Sequence, residues 1–120
     1  MHGRRELGAW GERVAADFLR QSGFAVLETN YRSRFGEIDL IAQDDRFVVF
    51  AEVKVRSDER FALAREAVGP AKQKRIRATA ALWLSDTGYD RQPRFDVIEI
   101  YAPYGVKTRW LRVVHLENAF

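Results

Sequence analysis

The sequence predicts an α/β fold with the element order α-β-β-β-α-β-β, and three observations carry that prediction. Near the N-terminus, Leu7, Trp10, Val14, Phe18 and Leu19 recur at helical spacing, with Ala15 and Ala16 between them. Two apolar strings of strand length, 37–43 and 47–56, are separated by Asp44-Asp45, which reads as a tight hairpin turn. Pro70 is suited to the first turn of a second helix, whose stripe is Ile76, Thr79, Ala80 and Trp83.

Taken in order, residues 5–22 form the first helix, and Gly23 falls where a left-handed C-terminal cap belongs. Gly8 and Gly11 lower helix propensity, which suggests close backbone approach on that turn. The first strand is Phe24 to Arg32, the second Glu37 to Gln43, the third Phe47 to Arg56. On the third, Phe47, Val49, Ala51, Val53 and Val55 make one apolar face. The other face runs Val48, Phe50, Glu52, Lys54, Arg56, so it begins buried and ends polar, as where a covered sheet opens into a cleft. Ser57 to Gly69 has no clean period and is read as a surface loop. The second helix runs from Pro70 to about Leu84. Phe95 to Tyr101 is a strand, Pro103-Tyr104-Gly105 a turn, and Arg109 to Leu116 the last strand.

The 120 residues suit one domain, 1–120, with a core that needs no staples. Absence of cysteine excludes disulfides and thiolate metal sites. No apolar run approaches the roughly 18 residues of a membrane span, and Met1-His2-Gly3-Arg4-Arg5-Glu6 is not a hydrophobic signal region. A cytoplasmic protein with no membrane partner is expected. The net charge of +3 is compatible with nucleic acid.

Gly36-Glu37-Ile38-Asp39-Leu40 and Ala51-Glu52-Val53-Lys54-Val55 carry the functional signal. With the turn at Asp44-Asp45, residue 39 stands opposite 50 and residue 37 opposite 52. Glu37, Asp39, Glu52 and Lys54 then share a face, and Asp39 and Glu52 become diagonal neighbours, roughly 7 Å apart at the backbone. Two such carboxylates repel when unpaired and suit a hard cation, Mg²⁺ or Mn²⁺, that keeps waters for chemistry. Lys54 can orient the attacking water or offset charge on phosphoryl oxygens. The plainer alternative is a solvated Glu-x-Lys ion pair, although Asp39 between Ile38 and Leu40 is an expensive place for an unpartnered acid.

A resemblance joins these residues. Gly8-x-x-Gly11-Glu12-x-x-Ala15, Asn30-Tyr31-Arg32, Gly36-Glu37-Ile38-Asp39-Leu40-Ile41, Phe50-x-Glu52-Val53-Lys54-x-Arg56, Lys72 with Lys74-Arg75-Ile76, Arg94-Phe95-Asp96-Val97-Ile98 and Asn118-Ala119-Phe120 resemble the YraN family of small bacterial proteins. That family is grouped with the PD-(D/E)xK nucleases and is distantly similar to archaeal Holliday junction resolvases. The resemblance implies a restriction-endonuclease-like mixed central sheet flanked by helices. It implies a catalytic set of Asp39, Glu52 and Lys54, with Glu12 joining Asp39 and Glu52 as a metal-site acid. Ile38 stands where the superfamily motif has proline.

Without the resemblance, Glu12 reads as a helix-surface acid paired with a neighbouring Arg. Glu37 is either a group just outside the ligand set or a charge at the rim. Lys72, Lys74, Arg75 and Arg77 crowd the start of the second helix; with Arg56 they are candidates for a phosphate backbone or else a solvated face. Asp96 reads as a structural ion-pair partner, His2 and His115 as isolated, and Trp10, Trp83 and Trp110 as core or interface residues. The expected function is a metal-dependent endonuclease acting on DNA, including branched or structured DNA, with a homodimer allowed. The alternative is a catalytically silent nucleic-acid- or protein-binding module on the same fold.

Overall fold

The computed structural model of the chain describes residues 3–57 and 68–120, with the Arg4 side chain excepted. Helix α1 (Arg4–Gln21) is followed by strands β1 (Ala25–Ser33), β2 (Gly36–Gln43) and β3 (Phe47–Arg56), helix α2 (Pro70–Thr87), and strands β4 (Gln92–Tyr101) and β5 (Arg112–Leu116). This is the predicted order. The loop expected over 57–69 falls, for 58–67, outside the described residues.

The five strands lie in the spatial order β1-β2-β3-β4-β5. All neighbours are antiparallel except β3 and β4, which are parallel. Parallel neighbours need a crossover, and α2 lies in that connection. One face of the sheet is covered by α1 through Ala15, Ala16 and Leu19, packed with Leu40, Ala42, Val49, Ala51, Ile98 and Ile100. The opposite face is covered by α2 through Ile76, Ala80 and Trp83, packed with Ile41, Val48, Phe50 and Val97. A sheet covered on both faces explains why the central strands are nearly continuous apolar runs. Among the described residues no helix is long and apolar enough to cross a membrane.

The helix ends follow local chemistry. Gly23 has φ 95°, its amide donates to the Arg20 carbonyl, and the Phe24 amide donates to the Leu19 carbonyl. That is the Schellman arrangement, which needs a left-handed residue. Helix α2 runs three residues beyond Leu84 because its stop is Gly88, at φ 65°, and not an earlier residue.

Three boundaries differ from expectation for pairing reasons. Strand β4 starts at Gln92 rather than Phe95, since Phe47 on β3 already pairs with Gln92. Strand β5 starts at Arg112 rather than Arg109, because β4 ends at Tyr101, the partner of Arg112, and leaves residues 109–111 without a neighbour. The β2–β3 turn is centred on Asp45-Arg46, not Asp44-Asp45. The Asp44 amide donates to the Phe47 carbonyl, while Asp44 Oδ1 accepts from the Arg46 and Phe47 amides. An Asp that captures the next two amides closes the turn one residue later.

Only one of the two helical glycines marks a close approach. A Cβ on Gly11 would overlap Val55 Cγ2, whereas a Cβ on Gly8 would meet open space. Gly11 lets α1 lie against β3, and its neighbour Glu12 is carried to the sheet with it.

Candidate functional site

The corrected turn shifts the β2–β3 register. Leu40 pairs with Ala51 and Ile41 with Phe50, so one step further Asp39 faces Glu52 directly rather than diagonally. The ladder stops at Leu40 and Ala51; beyond it, Asp39 Oδ2 accepts from the Val53 amide at 2.8 Å. A side chain thus takes the donor that the next ladder bond would have used, and the strands open around it.

On the other side of β2 the strand also changes. Asn30 has φ 52°, and the β1–β2 pairing passes from Thr29–Leu40 to Tyr31–Ile38. Leu40 belongs to the α1-side core and Ile38 to the α2-side core, although strict alternation would put them on one face. Asp39 sits at that switch. Acids from both faces can therefore reach it.

Glu12, Glu37 and Asp39 converge: one carboxylate oxygen of each lies within 4.8 Å of the others. Each acid is held from behind. Asn30 Nδ2 donates to Glu12 at 3.0 Å, Arg32 Nε donates to Glu37 at 2.7 Å, and the Val53 amide holds Asp39. Burial, followed by the charge of Glu52, pushes the Asp39 carboxyl up to about 7; the Val53 hydrogen bond opposes this, and Glu12 and Glu37 add to it.

Glu52 is 6% exposed and lines the same cleft as Glu37 and Asp39. It is ion-paired with Lys72 from the first turn of α2, and Lys54 Nζ stands 3.7 Å from the same oxygen. Gly36, Glu37, Asp39, Glu52, Lys72, Arg75 and Ile76 line a cleft of about 150 Å³. Desolvation holds the Lys54 ammonium below its ordinary value, with the Lys72 charge adding to it. Desolvation also acts on Lys72, but the Glu52 hydrogen bond and charge outweigh it and leave Lys72 raised. One lysine is thus committed to Glu52, and the other is the weaker acid-partner and the easier proton donor.

The sequence-stated residues separate into three groups. Asp39, Glu12 and Glu37 meet, with Glu37 in the triad rather than at its rim. Glu52 is engaged by Lys72 and Lys54. Of the basic set, Lys72 and Arg75 line the cleft, and Lys74 is exposed on α2. Arg77 lies over the Phe95 and Phe120 rings, 4.7 and 5.6 Å from their centroids. Arg56 is paired with Glu99, a nearly fully buried acid on β4 that also accepts from the Tyr101 hydroxyl.

Glu99 was not singled out from sequence, and Asn30 stood only in the Asn30-Tyr31-Arg32 string, with no role assigned. A lone acid within Val97-Ile98-Glu99-Ile100 was the available signal for the first, because an acid in a covered strand needs a partner. Asn30 carried the tolerance of asparagine for left-handed backbone. Asp96 is the structural ion-pair partner expected. It is fully buried, takes two bonds from Arg94 at 3.0 and 2.9 Å, and also binds His115 and the Asn118 amide. These bonds outweigh its desolvation and lower its pKa. Trp83 is core, Trp10 is partly buried, and Trp110 is 90% exposed.

Comparison with known proteins agrees with the motif resemblance at the family level. The model of the uncharacterised protein family UPF0102 matches residues 11–100, a span that includes Glu12, Asp39, Glu52 and Lys54. A UPF0102 protein of Symbiobacterium thermophilum is 47% identical over 97% of this chain and 97% of its own length. One from Renibacterium salmoninarum is 43% identical over 91% and 93%, and one from Syntrophomonas wolfei 40% identical over 97% and 98%. The chain belongs to the UPF0102 family.

Proposed function

We propose that the protein is a metal-dependent endodeoxyribonuclease of the PD-(D/E)xK kind that hydrolyses phosphodiester bonds in branched or otherwise structured DNA. The observation that carries this reading is the pairing of an oxygen-only triad, Glu12, Glu37 and Asp39, with an adjacent acid–lysine pair, Glu52 and Lys54, on the opened ends of two strands. The donor chemistry fits Mg²⁺ or Mn²⁺: burial and the charge of Glu52, with Glu12 and Glu37 adding, raise Asp39 to about 7, a cost that a hard divalent cation beside these carboxylates removes. Asp39, Glu12 and Glu37 would hold the ion, with Glu52 completing the set. When bound, the ion supplies Lewis acidity and a more acidic water.

The chain's own residues supply the rest. Lys54 offsets negative charge on the phosphoryl oxygens from 3.7 Å beyond Glu52. Lys72, Lys74 and Arg75, on the first turns of α2, hold the phosphate backbone beside the cleft. The Val53 amide fixes the Asp39 carboxylate, so this ligand costs little to order.

The test is cleavage of linear, flapped and four-way DNA by purified protein with Mg²⁺ or Mn²⁺. Metal-dependent cutting that disappears in Asp39→Asn is the expected result; no cutting of any substrate with either ion overturns the reading. One observation favours a second reading, a binding module without turnover. Glu52 is already neutralised by two lysines, so part of the site balances its charge without a metal.

A further inference from the structure

We propose that the loop joining β4 to β5 is a stacking platform for unpaired bases of a nucleic-acid strand. Trp110 is 90% exposed and Tyr104 78%, far above Phe35 and Leu111, the other exposed large hydrophobics described. An indole buries 150–250 Å² when covered, so leaving it in solvent forgoes a stabilisation of several kcal/mol at about 25 cal/mol per Å². The loop that holds these rings is built and ordered. The Gly105 amide donates to the Ala102 carbonyl at 2.9 Å, the Thr108 amide to Gly105 at 3.0 Å, and the Tyr104 amide to Thr108 Oγ1 at 2.9 Å. Gly105 supplies the left-handed φ of 59° that the turn needs, and the turn rests near Leu7 of α1. Pro103, Tyr104, Lys107, Thr108, Arg109 and Trp110 enclose a hollow of about 280 Å³.

Charge selects the occupant. Between Glu99 and Glu117 the sequence contains no acid, and Lys107, Arg109 and Arg112 are its only Lys or Arg residues. Aromatic rings interleaved with cations suit bases that stack and phosphates that need neutralising. A nucleic-acid strand offers both at each step, a flat ring and a phosphate.

Position joins the platform to the cleft. Strands β3 and β4 are parallel, Arg56 pairs with Tyr101, and the Ala102 amide donates to the Arg56 carbonyl at 2.8 Å. The loop therefore leaves the sheet at the end toward which Glu52, Lys54 and Arg56 run. Glu52 to Arg56 is four strand steps, or ~13 Å at ~3.3 Å each, which separates the cleft acid from the point where the loop leaves the sheet. This rests on the nuclease reading for what the strand reaches, not for whether it binds. A platform there makes substrates with unpaired segments, such as flaps and junctions, the favoured class.

Binding is measured without turnover, in Ca²⁺, by fluorescence anisotropy with oligothymidylate and with a blunt duplex of equal length. Trp110→Ala should weaken oligothymidylate binding about tenfold and leave duplex affinity unchanged. Oligothymidylate should quench the tryptophan emission of wild type; Trp110→Phe should retain most of the affinity and lose that quenching. Equal affinity of Trp110→Ala and wild type for oligothymidylate overturns the platform. So does a wild-type dimer in sedimentation that Trp110→Ala converts to monomer, which would assign the ring to an interface between copies. If Trp110-dependent binding is seen but no DNA is cut, the nuclease reading fails and the platform stands; if DNA is cut and Trp110→Ala binds normally, only the platform fails.

Discussion

The Asp39 carboxylate accepts the Val53 amide at 2.8 Å, one step past the last β2–β3 ladder pair, Leu40 with Ala51. The bond does two things. It satisfies an amide that the opened strands would otherwise strand, and it pins an acid whose neighbours are other acids. Burial raises its pKa most, the charges of Glu52, Glu12 and Glu37 raise it further, and the Val53 amide opposes them.

That balance has a pH signature. The folded Asp39 titrates near 7, above its ordinary value of 3.8, so the folded state binds the proton more tightly than the unfolded chain does. Its contribution to stability is fully present below about pH 4 and is lost as pH rises through about 7. Asn keeps the acceptor for Val53 and has no charge. Metal-free Asp39→Asn should melt higher than wild type at pH 8, by up to a few kcal/mol, with the difference gone near pH 4. Thermal melts across that range check it. A variant destabilised by roughly 3–5 kcal/mol at pH 8 would instead mark a structural acid.

Gly11→Ala sets two effects against each other. Alanine gains up to ~1 kcal/mol of helix propensity. The new Cβ overlaps Val55, a short branched side chain that cannot swing away. Overpacking of this kind costs about 1–3 kcal/mol, so the clash wins and urea midpoints should fall. Gly8→Ala, which meets open space, should be neutral or stabilising.

Lys74 and Lys72 should behave differently although both lie on the first turns of α2. Lys74 is exposed, so Lys74→Ala should lower the salt-dependence slope of DNA binding by about one without moving the melting temperature. Lys72→Ala removes a partner of buried Glu52 and should lower both the slope and the stability. Affinities at a series of salt concentrations, paired with melts, separate the two.

Lys54→Ala should abolish DNA cleavage while leaving binding nearly intact, since one cation among several is lost from the surface. Mg²⁺ or Mn²⁺ should support turnover, and Ca²⁺ binding with little cleavage. Cleavage by Lys54→Ala at the wild-type rate would place the chemistry elsewhere.

Element order, both helix stripes and the polar end of β3 were legible in the residues, because each rests on backbone periods of 3.6 and 2 that neighbouring positions express by themselves. The Schellman stop at Gly23 and the start at Pro70 are equally local. Asp39, Glu52 and Lys54 stood out for the same reason, as charges inside apolar strands. The β2–β3 register was not legible. It turns on which amides the Asp44 side chain captures, and moving the turn by one residue moves each opposing pair by two. Nor did periodicity show that Asn30 and Asp39 mark a switch of face, which lets Glu12 from α1 and Glu37 from β2 meet at one point. The pairing of Glu52 with Lys72, and of Arg56 with buried Glu99, joins residues 20 and 43 positions apart. The first is set when α2 closes on the sheet, the second when β4 pairs in parallel with β3. Local spacing names the charged residues; only the packed layers decide which of them become neighbours.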